Sequence, residues 1–187
     1  IVEGTYSAET YEDDAAHIAV YLGNGDHTFD YSRDSWLGEE AQAITAYRLH
    51  TADFDGDGDV DFAVPATGYD FHPMDGEENF MLWNSNGRLF KDTGTRTTFG
   101  AVGYTHMSDI ADIDNDGDMD IVFIDTFGAD VHACGPAEDG RLNAIVRVMR
   151  NDGAASFTGT SSCMKTWVKA DGSNTGFYTS SVRLADM

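Results

Sequence analysis

Two short runs carry most of the chemistry that residue types and spacing suggest. The stretch DFDGDGDVDF, residues 53–62, places aspartates at 53, 55, 57, 59 and 61, and DIDNDGDMDI, residues 112–121, places them at 112, 114, 116, 118 and 120. Counted from the first aspartate, positions 1, 3, 5 and 9 are Asp53, Asp55, Asp57 and Asp61 in one run and Asp112, Asp114, Asp116 and Asp120 in the other. Position 6 is Gly58 or Gly117, and position 7 is Asp59 or Asp118. Two carboxylates about 4 Å apart repel by roughly 1 kcal/mol in water and about 4 kcal/mol at an effective dielectric of 20. Four converging carboxylates multiply that cost, and a cation turns it into attraction. Oxygen-only ligands suit a hard cation, and a flexible shell of about six to eight of them favours calcium over magnesium. Glycine at position 6 permits the sharp turn. The backbone carbonyl of position 7 completes the shell, with the Asp59 or Asp118 side chain facing water.

An EF-hand needs a bidentate glutamate at position 12 and a following helix. Position 12 is Val64 in one run and Phe123 in the other, and the residues around it, FAV and IVF, favour strand. EF-hands and helical dockerin-type modules are therefore excluded. The remaining alternative is an unliganded, solvated acidic loop, which two in-register copies with the glycine in place disfavour.

Other chemistries find little support. Six histidines (17, 27, 50, 72, 106 and 132) form no HExxH motif or close metal pair, and no GxSxG elbow occurs. The acidic loops would repel phosphate. Pairs such as Asp13-Asp14 and Glu77-Glu78 fit a glycosidase in type, but acidic pairs are expected by chance among 33 acidic residues. A net charge of −22 disfavours nucleic acid and anionic membranes, and favours cationic partners such as metal ions. No run of 18 or more apolar residues is present to span a membrane. The two cysteines, Cys134 and Cys163, belong to no CxxC pair. In an extracellular setting they most simply form one disulfide, whose loop of about 30 residues contributes on the order of 3 to 4 kcal/mol. The alternative is two buried free thiols.

The elements that hold the acidic runs repeat with them. TADFDGDGDVDFAV (51–64) and IADIDNDGDMDIVF (110–123) align at a spacing of 59 residues. Each run is followed by an apolar stretch, a turn dipeptide and a phenylalanine: MLWNSNGRLF (81–90) and VMRNDGAASF (148–157), with VYLGNGDHTF (20–29) as a third copy. Asn24-Gly25, Asn86-Gly87 and Asp152-Gly153 are hairpin signals of the type I′ kind. Each unit therefore reads as strand A, acidic loop, strand B, a variable connection, strand C, a tight turn and strand D. Strand A is expected near 46–52, 105–111 and 180–185, and B near 1–3, 62–66 and 121–125. C is expected near 17–22, 79–84 and 144–150, and D near 27–31, 88–91 and 155–158. With 41% hydrophobic residues the chain can bury a core, and no long segment has helical periodicity.

The predicted fold is all-β: β-propeller blades of four antiparallel strands, about three blades' worth, in a partial propeller that does not close by itself. The single repeat region divides into the end of one blade (1–45), a blade with the first acidic loop (46–104), a blade with the second (105–179) and the start of another (180–187). Asp186 aligns with Asp53 and Asp112 as the first ligand of a truncated third site. The chain reads as a slice of a longer array, with an acidic loop expected just before Ile1 and the motif opened by Asp186 expected to continue past Met187.

ADFDGDGDVDFAV and ADIDNDGDMDIVF resemble the calcium loops of the FG-GAP/VCBS repeat family, which includes the propeller of integrin α-chains. Phe99-Gly100 stands ahead of the second loop, where that family's name-giving Phe-Gly falls. The resemblance implies a seven-bladed parent, an extracellular or cell-surface location, and calcium that stiffens blades without doing chemistry.

Strand alternation puts the A–B loops and C–D turns on one end, and the B–C and D–A connections on the other. The second set is long and carries Tyr6, Tyr11, Trp36, Tyr69, Phe71, Phe127 and Trp167, a possible ligand face for a protein or glycan partner unless these rings only pack their own loops. A Cys134–Cys163 bridge would pin two of these connections together. The expected function is a non-enzymatic, calcium-binding extracellular module for adhesion, carbohydrate binding or assembly. The alternatives are the scaffold or catalytic domain of a secreted polysaccharide lyase or hydrolase, and a structural subunit whose partial propeller is completed by further blades or by neighbouring subunits.

Overall fold

The computed structural model of the protein describes residues 2–4, 16–31, 42–68, 76–92, 99, 102–126, 134 and 143–165. Twelve strands and no helix occur among them. They form three four-stranded antiparallel sheets, each a propeller-type blade. The first holds β1 (Val2–Gly4), β2 (Ala16–Gly23), β3 (Phe29–Tyr31) and β4 (Gln42–Ala43). The second runs in chain order through β5 (His50–Ala52), β6 (Asp61–Val64), β7 (Phe80–Ser85) and β8 (Arg88–Lys91). The third runs through β9 (Thr105–Ala111), β10 (Asp120–Asp125), β11 (Asn143–Asn151) and β12 (Phe157–Lys165). The strand expected at 180–185 lies outside the described residues.

Period-two alternation decides which face each side chain takes. In the second blade, Phe62, Val64, Phe80 and Leu82 pack with Ile18 and Val20 of the first blade. Their neighbours Ala63, Met81 and Trp83 face the other way and pack with Ile121, Phe123 and Met149 of the third blade. Runs such as FAV and FMLW are thus buried on both faces, which is why they read as continuous apolar stretches. Phe99, from the Phe-Gly pair, is part of this second interface and meets Phe123 and Phe157 edge-on at 5.2 and 5.6 Å. Gly100 lies outside the described residues.

The blades also meet through backbone. Glu77 and Gly103 form an isolated antiparallel bridge between the second and third blades. Gly76 approaches so closely there that an added Cβ would land on the Gly103 carbonyl, and its positive φ of 79° suits glycine as well.

Three details depart from the sequence reading. Only Asn86-Gly87, with φ of 53° and 79°, is a two-residue hairpin with both angles positive, joining the Ser85↔Arg88 pair. The other two turns are five residues long, closing on the pairs Gly23↔Phe29 and Asn151↔Phe157, and use positive φ at Gly25 and His27 or at Gly153, Ala154 and Ala155. The first blade has an additional short pairing, because β4 pairs with the start of β2 at Ala16↔Ala43 and His17↔Gln42 while β3 pairs with its end. Finally, β12 runs to Lys165, past the expected end near 158, because β11 is long enough to pair with all of it. The polar TGTSSC of this edge strand carries no apolar alternation that would have shown it. Cys163 therefore sits in β12, and its disulfide with Cys134 ties the β10–β11 connection to an edge strand instead of joining two connections.

Candidate metal centre

Both acidic runs are loops of 53–60 and 112–119 linking strands A and B of their blades. Two positive φ angles shape each one: Gly56 (73°) and Gly58 (93°) in the first, Asn115 (62°) and Gly117 (102°) in the second. Position 4 therefore needs the left-handed region as much as position 6 does. Asparagine substitutes there because it tolerates that region better than other side chains.

The turn gathers carboxylates. One oxygen from each of Asp53, Asp55 and Asp61 lies within 4.8 Å of the others in the first loop, and one from each of Asp112, Asp114 and Asp116 does so in the second. Positions 1 and 3 are common to both sets, joined by position 9 in one and position 5 in the other. Backbone N–H groups aim these side chains: Gly58 donates to Asp53 Oδ2 at 3.0 Å and Asp57 to Asp55 Oδ1 at 3.3 Å. Asp116 and Gly117 donate to the two oxygens of Asp112 at 3.1 and 3.0 Å. A carboxylate offers about four lone-pair sites, so one N–H contact per oxygen leaves capacity for a cation. The donor set is all oxygen, close-set and pre-oriented, and it fits a hard divalent ion.

Position 9 differs from the rest. Asp61 and Asp120 are fully buried. Asp61 accepts from the N–H of Phe54 at 3.0 Å and of Asn84 at 2.8 Å. Asp120 accepts from Ile113 at 2.7 Å and Asn151 at 2.8 Å. Each closes its own loop and fastens it to the end of strand C. Burial pushes the Asp61 carboxyl up to about 6, against the pull of its two N–H donors and with added repulsion from Asp55 and Asp57. Asp114 is also raised, by loss of hydration first and then by the charges of Asp116, Asp120 and Asp112, with Arg150 opposing.

Position 7 of the first loop, half-buried, makes a bond that the sequence did not show. Asp59 Oδ2 accepts from Asn86 N–H at 2.6 Å, so the acidic loop holds the adjacent C–D turn. The two lie side by side because the sheet order puts them on one end. Asp118 occupies the matching place, since a Cβ added to Gly153 would sit 3.0 Å from its Oδ2. Asn84 and Asn151, whose backbone N–H groups fasten position 9, were missed in the sequence. Their signal is an asparagine at or next to the end of strand C in the second and third blades, one or two residues before the turn dipeptide.

The first of these loops has a recognisable counterpart. Residues 6–64 match the model of the FG-GAP-like repeat family, a span that ends just after the first acidic loop. Over those residues the chain is similar to an FG-GAP-like repeat. The second acidic loop lies beyond that span and follows the first by internal similarity at a spacing of 59 residues. Neither the search of curated proteins nor that of solved structures found a match.

The opposite end of the blades is described in part. Tyr6, Tyr11, Trp36, Tyr69, Phe71, Phe127 and Trp167 lie outside the described residues, as do Asp186 and the Asp13-Asp14 pair. What is described there is a ring stack: Tyr104 lies parallel to His106 at 4.6 Å, and Tyr47, about half exposed, meets His106 edge-on at 5.3 Å. The same end holds a buried polar cluster. Asp125 accepts from Arg147 Nε at 2.7 Å and from the Thr105 hydroxyl, which also accepts from Asn79 Nδ2 at 3.0 Å.

Proposed function

We propose that this FG-GAP-like repeat chain is a calcium-stabilised propeller module of an extracellular protein. The cation is structural, and partners bind through the connections at the opposite end. The observation that carries this reading is the pair of in-register loops, each converging three carboxylates within 4.8 Å under backbone N–H control. Asp53, Asp55, Asp57 and Asp61, with the Asp59 carbonyl, would hold one ion. Asp112, Asp114, Asp116 and Asp120, with the Asp118 carbonyl, would hold the other. A bound calcium cancels the repulsion that otherwise splays each loop, so it braces the A–B hairpin of its blade.

The disulfide supports an oxidising location. The long B–C and D–A connections, rich in tyrosine and tryptophan, suit a protein or glycan partner, and the exposed Tyr47 stack adds to that end. No catalytic role is assigned. Calorimetry on chelator-treated protein tests the core claim: each chain takes up two calcium ions and its melting temperature rises. No calcium uptake would overturn it. Asp114→Ala is the cleanest single probe, because Asp114 is exposed in the second loop. It should lose one of the two ions and lower the melting temperature only when calcium is present. Asp57 and Asp116 are poorer probes, since each also accepts a loop N–H, from Asp59 at 2.9 Å and Asp118 at 3.0 Å.

A further inference from the structure

One buried residue touches both acidic loops. Asn151, at the end of β11, donates its backbone N–H to Asp120 Oδ1 at 2.8 Å, which fastens position 9 of the second loop. Its side-chain Nδ2 donates to the Phe54 carbonyl, also at 2.8 Å, which is position 2 of the first loop. Phe54 in turn gives its N–H to Asp61 Oδ2, position 9 of that loop. A continuous path therefore runs from Asp61 through Phe54 and Asn151 to Asp120. All four residues are at most 1% exposed. The Phe54 ring is clamped at the same point, 6.2 Å from the ring of Phe157, which pairs with Asn151 across the hairpin.

The corresponding residue of the second blade does not reach across. Asn84 gives its backbone N–H to Asp61 in the same way, but its Nδ2 goes to Val60 of its own loop at 3.1 Å. The cross-blade bond is thus specific to Asn151. It has energetic weight because the site is dry: a buried hydrogen bond left unmade costs more than an exposed one. Among the described residues the buried Asn151 Oδ1 has no hydrogen-bond partner, so the Phe54 contact is what orients the amide there.

We propose that Asn151 couples the two acidic loops, so that filling one with calcium tightens the other. This rests on the calcium reading of both loops. An ion in the second loop draws Asp112, Asp114, Asp116 and Asp120 together. That fixes Asp120, hence the end of β11, hence the amide that holds the Phe54 carbonyl and the entry to the first loop. Coupling is reciprocal, so an ion in the first loop favours the second by the same factor.

The test is a calcium titration of the whole chain, followed by calorimetry, across a double-mutant cycle. Asp114→Ala removes the second ion. In the wild-type background it should weaken the first loop about fivefold, the low end of typical coupling between sites. In Asn151→Ala the same change should leave the first loop's affinity unaltered, and the two loops should titrate independently. Asn151→Leu, which keeps similar volume but removes the donor without adding charge, should behave like Asn151→Ala and serves if the alanine variant folds poorly. Asn84→Ala should preserve the coupling. Amide exchange in the first loop gives a second readout, with protection of the Phe54 N–H rising when only the second loop is filled in an Asp55→Ala chain. Two ions bound independently by the wild type, or coupling that survives both Asn151 changes, overturns the proposal while leaving the calcium sites intact. Absence of any uptake overturns the calcium reading instead.

Discussion

Position 2 of the acidic loops offers a sharp test of how the blades pack. Phe54 and Ile113 occupy the same place in the repeat, and a sequence comparison treats them alike. Their surroundings differ: Phe54 is 1% exposed within the interface to the third blade, whereas Ile113 is 38% exposed. Phe54→Ala removes a whole ring from among Ala63, Trp83, Phe157 and their neighbours, in a cluster fixed by two sheets that cannot both collapse inward. Buried Phe→Ala changes cost about 3–5 kcal/mol, of which the unfilled cavity is a large share. Ile113→Ala loses only part of a side chain's burial and leaves a gap open to water, so about 1 kcal/mol is expected. The assay is equilibrium unfolding in urea with a chelator present, which keeps metal binding out of the comparison. With a slope of about 2–3 kcal/mol per molar, Phe54→Ala should move the midpoint down by more than about 1 M and Ile113→Ala by less than half a molar. Equal shifts for the two variants, or a Phe54→Ala loss near 1 kcal/mol, would refute the packing of the loop into the next blade.

Three further outcomes follow from single contacts. Glu77 is held above the ordinary glutamate range by burial, although it accepts the Ile44 N–H at 2.8 Å. Its folded state therefore binds a proton more readily than its unfolded state, and its favourable contribution is complete below the unfolded value and lost as pH rises through the folded one. Subtracting Glu77→Gln unfolding energies from wild-type values across pH 3–8, on the order of the range where carboxylates titrate, should show that decline. A flat or rising difference would count against it. Arg147→Met strands the fully buried Asp125 carboxylate and should cost about 3–5 kcal/mol, while adding Asp125→Leu should recover much of the loss. Denaturant midpoints check both, and a single-variant loss below about 1 kcal/mol contradicts the pairing. Breaking the Cys134–Cys163 bridge, 29 residues apart, by double alanine substitution should remove about 3–4 kcal/mol, read from the melting temperature.

Much of the scaffold is legible because it rests on local rules. The apolar runs after each acidic loop announce strand B, and Asn86-Gly87 marks a hairpin. The convergence of positions 1 and 3 follows from aspartate at alternate residues around a glycine-permitted turn. What the sequence conceals depends on partners far along the chain. Asn84 lies 23 residues after Asp61, and Asn151 lies 31 residues after Asp120. The B–C connections differ in length, so no fixed spacing exposes the shared contact. Arg147 and Asp125 meet because β10 and β11 pair in one particular register, which no motif records. The pairing of β4 with β2 depends on where the chain returns after Tyr31.

The acidic runs show how burial sorts residues that composition leaves identical. Ten aspartates alternate through two loops, yet their roles separate by depth. Those at positions 1, 3 and 5 stand at or near the surface, where water and a cation compete for the same lone pairs. Those at position 9 are sealed under the blades, with an N–H from the loop and another from strand C fixing both oxygens. Asparagine there would keep one acceptor oxygen but turn the other into a second donor facing an N–H, an unsatisfied contact in a dry site. Position 9 is therefore a fastening between loop and blade before it is a ligand. It follows that an ion in the loop would act on a carboxylate already tied to strand C, and through the Phe54–Asn151 contact on the neighbouring blade as well. On the proposed calcium reading, affinity for the ion and packing between blades would be two readings of one set of contacts. Weakening the interface should weaken calcium binding even where every ligand is intact.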